Sequence, residues 1–396
     1  MSKIGTRAAA DLVSRHRSSV GLRWPSKRIA ALHRLPIRSV LAARCALRCA
    51  PMAARSLRHL IGDATLVSRT LARGIPLFAL ALPFLVGNEY QLHVLTLIGV
   101  YWVLVAGLNL VVGYAGQLSV GHVGLLAIGA YTLAILTGRA GIDPLMALAV
   151  AGMLGGLCGF LLGLPALRLP GFYFAMATLA FSLIVTEQLV AHSTLTGGGA
   201  GMPAPRFAAP FDTARGFYYL VVVIGLAVTW LAWNISRRMW GRGLIALRDS
   251  DVAAAAVGIP ALRLKLAVFT FSGVTAGVAG CLFASLQNYI TPEAFTFELG
   301  MFFFICIIIG GRGNIIGPFA GTVVLTLLPE IAAPFAKLGN LLYSVLLLTA
   351  VLLIPKGIGS ALAAWVERHR VRRHAPPVAP DLPRLTAAMS QPEPAP

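Results

Sequence analysis

Two stretches of this chain place polar side chains among apolar residues in patterns that could do chemistry. The first is 107–131, GLNLVVGYAGQLSVGHVGLLAIGAY, and its polar candidates are Asn109, Gln117, Ser119 and His122. Polar groups inside apolar spans are costly to insert, so they mark solute or ion pathways or satisfy one another. The glycines around them predict a broken helix, an element that lines binding sites within membranes. For His122, a hydrogen bond between helices is favoured over contact with a solute.

Glu187 is a fifth candidate for such a pathway. It lies between Thr186 and Gln188, near the end of the apolar stretch 172–192. Its carboxylate could meet an ammonium group in a pathway, but an interfacial position with the head in water is the favoured interpretation. The connection that follows, 194–205, is rich in Gly and Pro. This composition predicts a flexible connection, with a partner-binding or gating role as the alternative.

The second stretch is a polar interruption, 236–265, between two apolar runs. Its candidates for contact with a soluble partner are Arg242, Arg248, Asp249, Asp251 and Gly258. Aspartates before an alanine run favour the start of a helix, and Gly258 followed by Pro260 favours its end. A short capped helix between cationic flanks suits the docking of a soluble protein. An ordinary positively charged loop is an equally weighted alternative.

Motifs for enzymatic chemistry are missing from the sequence. The run from Gly311 to Gly317 imitates a dinucleotide-binding glycine pattern, but it follows no strand and has no acidic residue about 20 positions on. There is no GxxxxGK[ST] motif and no pair of histidines at metal-ligand spacing, and the five cysteines form no cluster. We therefore predict no catalytic residues, no metal, and no cofactor bound by this chain.

The composition places these stretches in a membrane protein. Hydrophobic residues make up 57% of the chain and charged residues 12%, with a mean hydropathy of +0.79. Soluble domains carry roughly 25% charged residues. Ten apolar runs follow Ile75: 75–88, 91–112, 117–137, 144–164, 172–192, 216–235, 265–287, 298–311, 317–335 and 338–355.

The positions of the cations orient these runs. With the N-terminus inside, the cytoplasmic connections hold Arg168, the cations of 237–265, Arg312 and those of 356–373, and the outer connections hold few. This asymmetry supports an all-α polytopic membrane helix bundle of about ten transmembrane segments with both termini cytoplasmic. Because 75–88 and 298–311 are short of the roughly 20 residues that a span needs, eight segments remain the alternative.

The termini differ from this transmembrane domain, 75–356. Residues 1–74 contain fifteen Lys or Arg and two Asp, which accounts for +13 of the net charge of +19. They lack the aromatic interleaving of a nucleic-acid surface, so we predict no nucleic-acid partner. We predict that these residues form a disordered basic extension. The alternatives are a transit peptide, a cytoplasmic arm, or a chain numbered from a start codon upstream of the true one, with Met52 as a possible later start. The Pro-rich tail, 357–396, is predicted to be disordered and cytoplasmic.

Small residues recur at four-residue spacing within several runs. They form three pairs, Gly152/Gly156, Gly273/Gly277 and Gly317/Gly321, and one set of three, Gly155/Gly159/Gly163. Such faces let helix backbones approach closely where lipid removes the hydrophobic drive between helices. They predict a compact bundle.

Several of these stretches together resemble one family, the longer permease subunit of ABC importers for branched-chain amino acids; urea permeases are close relatives. The matching blocks, in order, are 107–131, LPALRLPGFYFAMATLAF (164–181), LTGGGAG (195–201), GRGLIALRDSDVAAAAVGI (241–259), GGRGNIIGPFAG (310–321) and LLIPKGIG (352–359). Their order and spacing make the resemblance specific, and it covers about 75–359. Two departures are Ala255, where relatives often have an acid, and Leu183, where this chain instead offers Glu187.

The resemblance implies a permease subunit of an ATP-driven importer in the bacterial inner membrane. It implies a second permease, two cytoplasmic ATPases that bind the ATP, and a periplasmic binding protein as partners, with branched-chain amino acids as the expected substrate. By the same resemblance, 241–259 docks on the ATPase. Urea, another small amide or an aromatic acid is the alternative substrate. A self-sufficient, ion-coupled transporter is a further alternative, because Glu187 and His122 are titratable.

Overall fold

The structure is a computed structural model that describes residues 83, 87–169 and 171–332. The predictions for the basic extension, for the spans 75–88 and 338–355, and for the Pro-rich tail lie outside these residues, apart from three residues at the end of the first span.

The described chain is almost entirely helical. Its α-helices are α1 (Glu89–Asn109), α2 (His122–Gly138), α3 (Pro144–Gly163), α4 (Gly171–Ala191), α5 (Ser193–Thr196), α6 (Ala214–Arg237), α7 (Met239–Asp249), α8 (Asp251–Ala256), α9 (Ala261–Gln287), α10 (Phe297–Gly310) and α11 (Gly317–Ala332). A π-helix, Leu110–Tyr114, continues α1, and 3₁₀ turns occupy Pro165–Leu167, Gly198–Ala200 and Pro292–Ala294. Two short strands, β1 (Met202–Pro203) and β2 (Tyr289–Ile290), complete the described part.

Side-chain caps fix where several helices begin. Asp143 accepts a 2.7 Å hydrogen bond from the Leu145 amide, with Pro144 in the first helical position of α3. Thr213 and Thr296 cap α6 and α10 in the same way, at 3.1 and 3.2 Å. Each cap satisfies an amide that the helix itself leaves without a partner.

The predicted spans agree with these helices in position. Six helical segments of the described residues are long and apolar enough to cross a membrane: Glu89–Tyr114, Pro144–Leu167, Gly171–Ala191, Ala214–Arg237, Ala261–Gln287 and Pro292–Gly310. The shorter helices α2 and α11 occupy two further predicted runs. The prediction for 117–137 was wrong at its start, because residues 117–121 are not helical and α2 begins at His122.

The centre of the bundle is a glycine-lined contact among α2, α3 and α9, as the four-residue spacing predicted. A methyl group on Gly273 would overlap the carbonyl oxygen of Gly155, and one on Gly277 would overlap that of Ala151. A methyl on Gly129 of α2 would overlap the carbonyl of Gly277. The helices therefore pack backbone against backbone, which gives dispersion contacts that larger side chains would prevent.

The prediction of a flexible 194–205 connection was wrong. This segment forms α5, a 3₁₀ turn and β1, which pairs antiparallel with β2 through Met202 and Ile290. The Tyr289 hydroxyl donates to the Ala200 carbonyl at 2.7 Å, and Arg206 Nε donates to Asn288 Oδ1 at 2.6 Å. Because the ribbon and these bonds satisfy its backbone, a Gly- and Pro-rich sequence takes one conformation here.

Candidate coupling site and substrate pathway

The helix α1 ends in a break, as the glycines of this stretch predicted. Its last turn is the π-helix, in which the Ala115 amide donates to the Leu110 carbonyl at 3.0 Å. The Gln117 amide then donates to the Val111 carbonyl at 3.0 Å. Gly116 adopts φ +69°, a left-handed conformation that glycine takes without steric cost. Single-turn π-helices are frequent at functional sites.

Asn109 is buried and holds a loop rather than facing open space. Its side-chain Nδ2 donates to the Asn314 carbonyl at 2.9 Å, and its Oδ1 accepts from the Gly313 amide at 3.2 Å. Both halves of the amide are thus used by the backbone of the loop 311–316 between α10 and α11. The glycines of this loop favour a tight turn or a re-entrant loop, but the sequence does not indicate that Asn109 binds it.

Ser119 and His122 form a buried chain of hydrogen bonds with Ser272 of α9. Ser119 Oγ lies 2.9 Å from His122 Nδ1, and His122 Nε2 lies 2.8 Å from Ser272 Oγ. All three side chains are almost completely buried. This arrangement agrees with the hydrogen bond between helices that was the favoured alternative for His122. Ser272 was missed, since a serine among small residues has no distinguishing pattern.

The two remaining pathway candidates differ in their surroundings. Gln117 lies in the break, and its buried Oε1 has no hydrogen-bond partner within the described chain. Glu187 is exposed on α4, a helix that also exposes Phe172, Tyr173 and Ile184. Four of the five candidates therefore surround one break, whereas Glu187 lies on an outer face. Their contact with substrate stays a prediction.

The polar interruption forms two helices rather than one. α7 ends at Asp249, and Ser250 then caps α8 by accepting a 3.2 Å hydrogen bond from the Ala253 amide. Gly258 follows α8 with φ +79°. The capped helix and its glycine stop agree with the pattern in the sequence. The preceding helix α7 was not predicted, because its glycines and charges obscure a helical period.

Arg248 connects this segment to the break after α1. Its Nη1 donates to the Gly113 carbonyl at 2.8 Å, and its Nε lies 3.6 Å from Asp249 Oδ1. A methyl group on Gly116 would overlap the side chain of Arg248. Arg248 therefore faces the membrane helices at least in part, and its docking role stays a prediction.

Asp251 also has a partner within the chain. Its Oδ2 accepts a 2.9 Å hydrogen bond from Lys265 Nζ, and the Lys265 side chain is 6% exposed, against 56% for Asp251. A buried ammonium without a partner would be costly, so this ion pair fixes α8 against the first turn of α9. The sequence indicated Lys265 only as a flanking cation. Nothing in its spacing distinguishes a buried lysine from an exposed one.

The segment also exposes apolar side chains. Val252, Val257 and Leu262 are 82%, 75% and 53% exposed. The charged side chains of Arg242, Asp249 and Arg263 are exposed on the same segment. We call these six residues the coupling surface. Val252 and Val257 flank the alanine run in the sequence, but their exposure is visible only in the structure.

Comparison with known proteins gives a consistent result. A family model described as the permease component of a branched-chain amino acid transport system matches residues 90–355. The chain is 31% identical over 344 residues to the high-affinity branched-chain amino acid transport permease protein LivM of Salmonella typhimurium, covering 78% of this chain and 81% of the relative. It is 32% identical to the LivM protein of Escherichia coli over 325 residues, or 75% and 76% of the two chains.

The chain is more distantly similar to a permease of a different transport system. Over 205 residues, 49% of this chain and 56% of the relative, the sequence is 28% identical to the autoinducer 2 import permease LsrC of an Enterobacter strain. No solved structure matches the chain.

Proposed function

Since the chain belongs to the family of branched-chain amino acid transport permeases, and is thus an inner-membrane permease subunit of an ABC importer, we propose that it carries branched-chain amino acids. A periplasmic binding protein delivers the substrate, and this chain and a second permease pass it to the cytoplasm. Two cytoplasmic ATPases bind and hydrolyse the ATP. The function of the chain is transport rather than catalysis.

The observation that carries the energetic part of this proposal is the coupling surface. Large apolar side chains such as Val252 and Val257 are exposed on a segment that joins two spans and is itself too polar to enter the membrane. Exposed apolar side chains together with charged ones are typical of a surface that contacts another protein. A cytoplasmic ATPase that covers this surface would bury it and hold α8.

Alternating access then requires ligands that bind two conformations with different affinity. ATP bound to the ATPases favours one conformation of the permease. The substrate-loaded binding protein also favours one conformation, and it acts from the other side of the membrane. The glycine-packed helices α2, α3 and α9 are built to move as one body, because their backbones are in direct contact. The segment α7–α8 is the part that an ATPase can pull.

An ion-coupled transporter is less well supported by the same contacts. In that mechanism His122 or Glu187 would take up and release a proton along the pathway. Both ring nitrogens of His122 already have hydroxyl partners, and Glu187 lies on an exposed face. Urea and related small amides remain alternative substrates that the transport experiment separates.

The first experiment is uptake of labelled leucine and labelled urea into proteoliposomes that contain this chain, the second permease, both ATPases and the binding protein. We expect ATP-dependent leucine uptake that disappears when any component is omitted. Uptake of urea without uptake of leucine would show that urea is the substrate. Uptake by this chain alone, driven by a proton or sodium gradient, would overturn the importer.

The docking role is tested by reversing the charge of Asp249, in the coupling surface, and of Asp251, two residues further along the chain. Changing both Asp249 and Asp251 to Lys is expected to abolish uptake, but Asp251→Lys would also place two lysines together. Asp249→Lys avoids this, because the Asp251–Lys265 pair stays intact. The matched variant Asp249→Asn loses the same ion pair with Arg248 without adding a charge. We expect Asp249→Lys to weaken ATPase binding about tenfold and Asp249→Asn less. If both variants bind the ATPase as tightly as the wild-type chain, Asp249 does not contribute to docking at the coupling surface.

A further inference from the structure

Three segments that are distant in sequence meet at the π-helix. Arg248 comes from α7, Asn109 from the end of α1, and Gly313 and Asn314 from the loop 311–316. The sequence separation of these contacts is 135 to 205 residues. All three segments lie at the end of the bundle that the positive charges predict to be cytoplasmic.

The Gly113 carbonyl is where α7 is attached. The last carbonyls of a helix have no partner within the helix and carry partial negative charge. The guanidinium of Arg248 supplies a charge-assisted hydrogen bond to one of them, at 2.8 Å. Arg248 therefore caps the π-helix from outside the helix.

The loop 311–316 packs against the same part of the π-helix. A methyl group on Gly113 would overlap both Asn109 Oδ1 and the Gly313 amide, so the loop and the π-helix are in close backbone contact. Gly313 itself has φ +74°, and a methyl placed there would lie 3.6 Å from Arg248 Nη1. Gly113 and Gly313 thus permit one compact junction that Arg248 and Asn109 hold.

We propose that Arg248 and Asn109 are positioning residues that transmit movement of α7–α8 to the break after α1 and to the loop 311–316. This inference rests on the proposed importer function, because the ATPase supplies the movement. When α7 is displaced, the Arg248 guanidinium pulls the Gly113 carbonyl with it through their hydrogen bond. The π-helix, whose hydrogen bonds span one residue more than those of an α-helix, takes up the displacement by changing its hydrogen-bond register. The loop follows because Asn109 binds it.

The contacts suit a movable link better than a permanent one. The Arg248 side chain is 39% exposed, so water can replace the Gly113 carbonyl at little cost when the hydrogen bond breaks. Asn109, by contrast, is 3% exposed and has two hydrogen bonds to the loop. Arg248 is therefore the weaker contact of the two: it carries the displacement of α7 while its hydrogen bond is formed, and Asn109 keeps the loop on the π-helix throughout.

The first test measures transported substrate per ATP hydrolysed in the reconstituted complex. Arg248→Ala should lower this ratio about tenfold while ATP hydrolysis continues, within the range of known coupling energies. Arg248→Lys should recover part of it, since an ammonium can still donate one hydrogen bond. Arg168→Ala, which removes an exposed cation at the same end of the bundle, is the control and should leave the ratio unchanged. If Arg248→Ala lowers uptake and hydrolysis in equal proportion, the residue is only structural and the proposal fails.

The second test does not depend on transport. Hydrogen–deuterium exchange is measured on the purified full chain, at peptides covering 110–117 and 311–316. Arg248→Ala should increase exchange in 110–117, and Asn109→Ala should increase it in both. Unchanged exchange in 110–117 for Arg248→Ala would overturn the proposed link even if the importer is confirmed. Increased exchange without any ATP-driven uptake by the wild-type complex would retain the link and refute the proposed function.

Discussion

Two regions of this molecule are held together by different means. At the contact of α3 with α9, glycines bring the two backbones into direct contact. The helices α7 and α8 bury Leu244, Leu247 and Ala254 in the core and add two long-range polar contacts, those of Arg248 and Lys265. Close backbone packing tolerates almost no displacement, whereas a hydrogen bond can break and form again. The difference indicates which region moves as a body and which transmits movement.

The largest effect is expected from breaking the backbone contact. In Gly273→Ala the new methyl group overlaps the Gly155 carbonyl and approaches the Gly159 Cα to 2.8 Å. We expect a loss of about 3 kcal/mol, measured as the free energy of unfolding in detergent. Gly152→Ala is the matched control in the same helix pair, where the methyl meets only Val278 and Val274 side chains at 3.2 and 3.6 Å. Equal destabilisation by both would contradict the backbone-contact interpretation.

An intermediate effect is expected where α8 meets α9. Asp251→Asn weakens the ion pair and leaves the Lys265 ammonium buried with a neutral partner, at a cost of about 2 kcal/mol. The cost should appear as local loosening of α8, detected as faster proteolysis between Arg248 and Lys265, with global unfolding almost unchanged. Lys265→Met removes both the charge and the need for a partner, so proteolysis should increase less. If Lys265→Met is cleaved faster than Asp251→Asn, the attraction between Asp251 and Lys265 matters more for holding α8 than the cost of burying an unpaired Lys265 ammonium.

The sequence predicted the parts of the fold that depend on local pattern. Helical spans follow from apolar length, the short helix before Gly258 from its aspartates and alanine run, and close glycine packing from four-residue spacing. The start of α2 and the ordered 194–205 segment were missed. Long-range contacts decide both. Thr178 of α4 accepts a hydrogen bond from the Val120 amide just before α2, and β2 pairs with β1 of the 194–205 segment.

The site was less predictable for the same reason. The sequence selected Asn109 and Arg248 as polar and charged residues of unusual position, but not their partners. Those partners are backbone groups of Gly113, Gly313 and Asn314, and a backbone carbonyl has no identity in a sequence. The apolar half of the coupling surface was missed because exposure of Val252 depends on the tertiary fold.

The smallest effect is expected where side chains bond inside the packed region. Ser272→Ala removes one hydrogen bond from His122 and leaves its Nε2 without that partner. Hydrogen bonds between membrane helices contribute about 0.6 kcal/mol on average, so we expect a loss of about 1 kcal/mol in unfolding free energy, with the glycine contact retained. The concentration of substrate giving half-maximal uptake should not change, because this serine bonds a helix neighbour. A shift in that concentration at unchanged stability would instead place His122 in the substrate pathway. It would then also show that the packed region takes part in selecting the substrate, and that rigidity and recognition are not separated between the two regions.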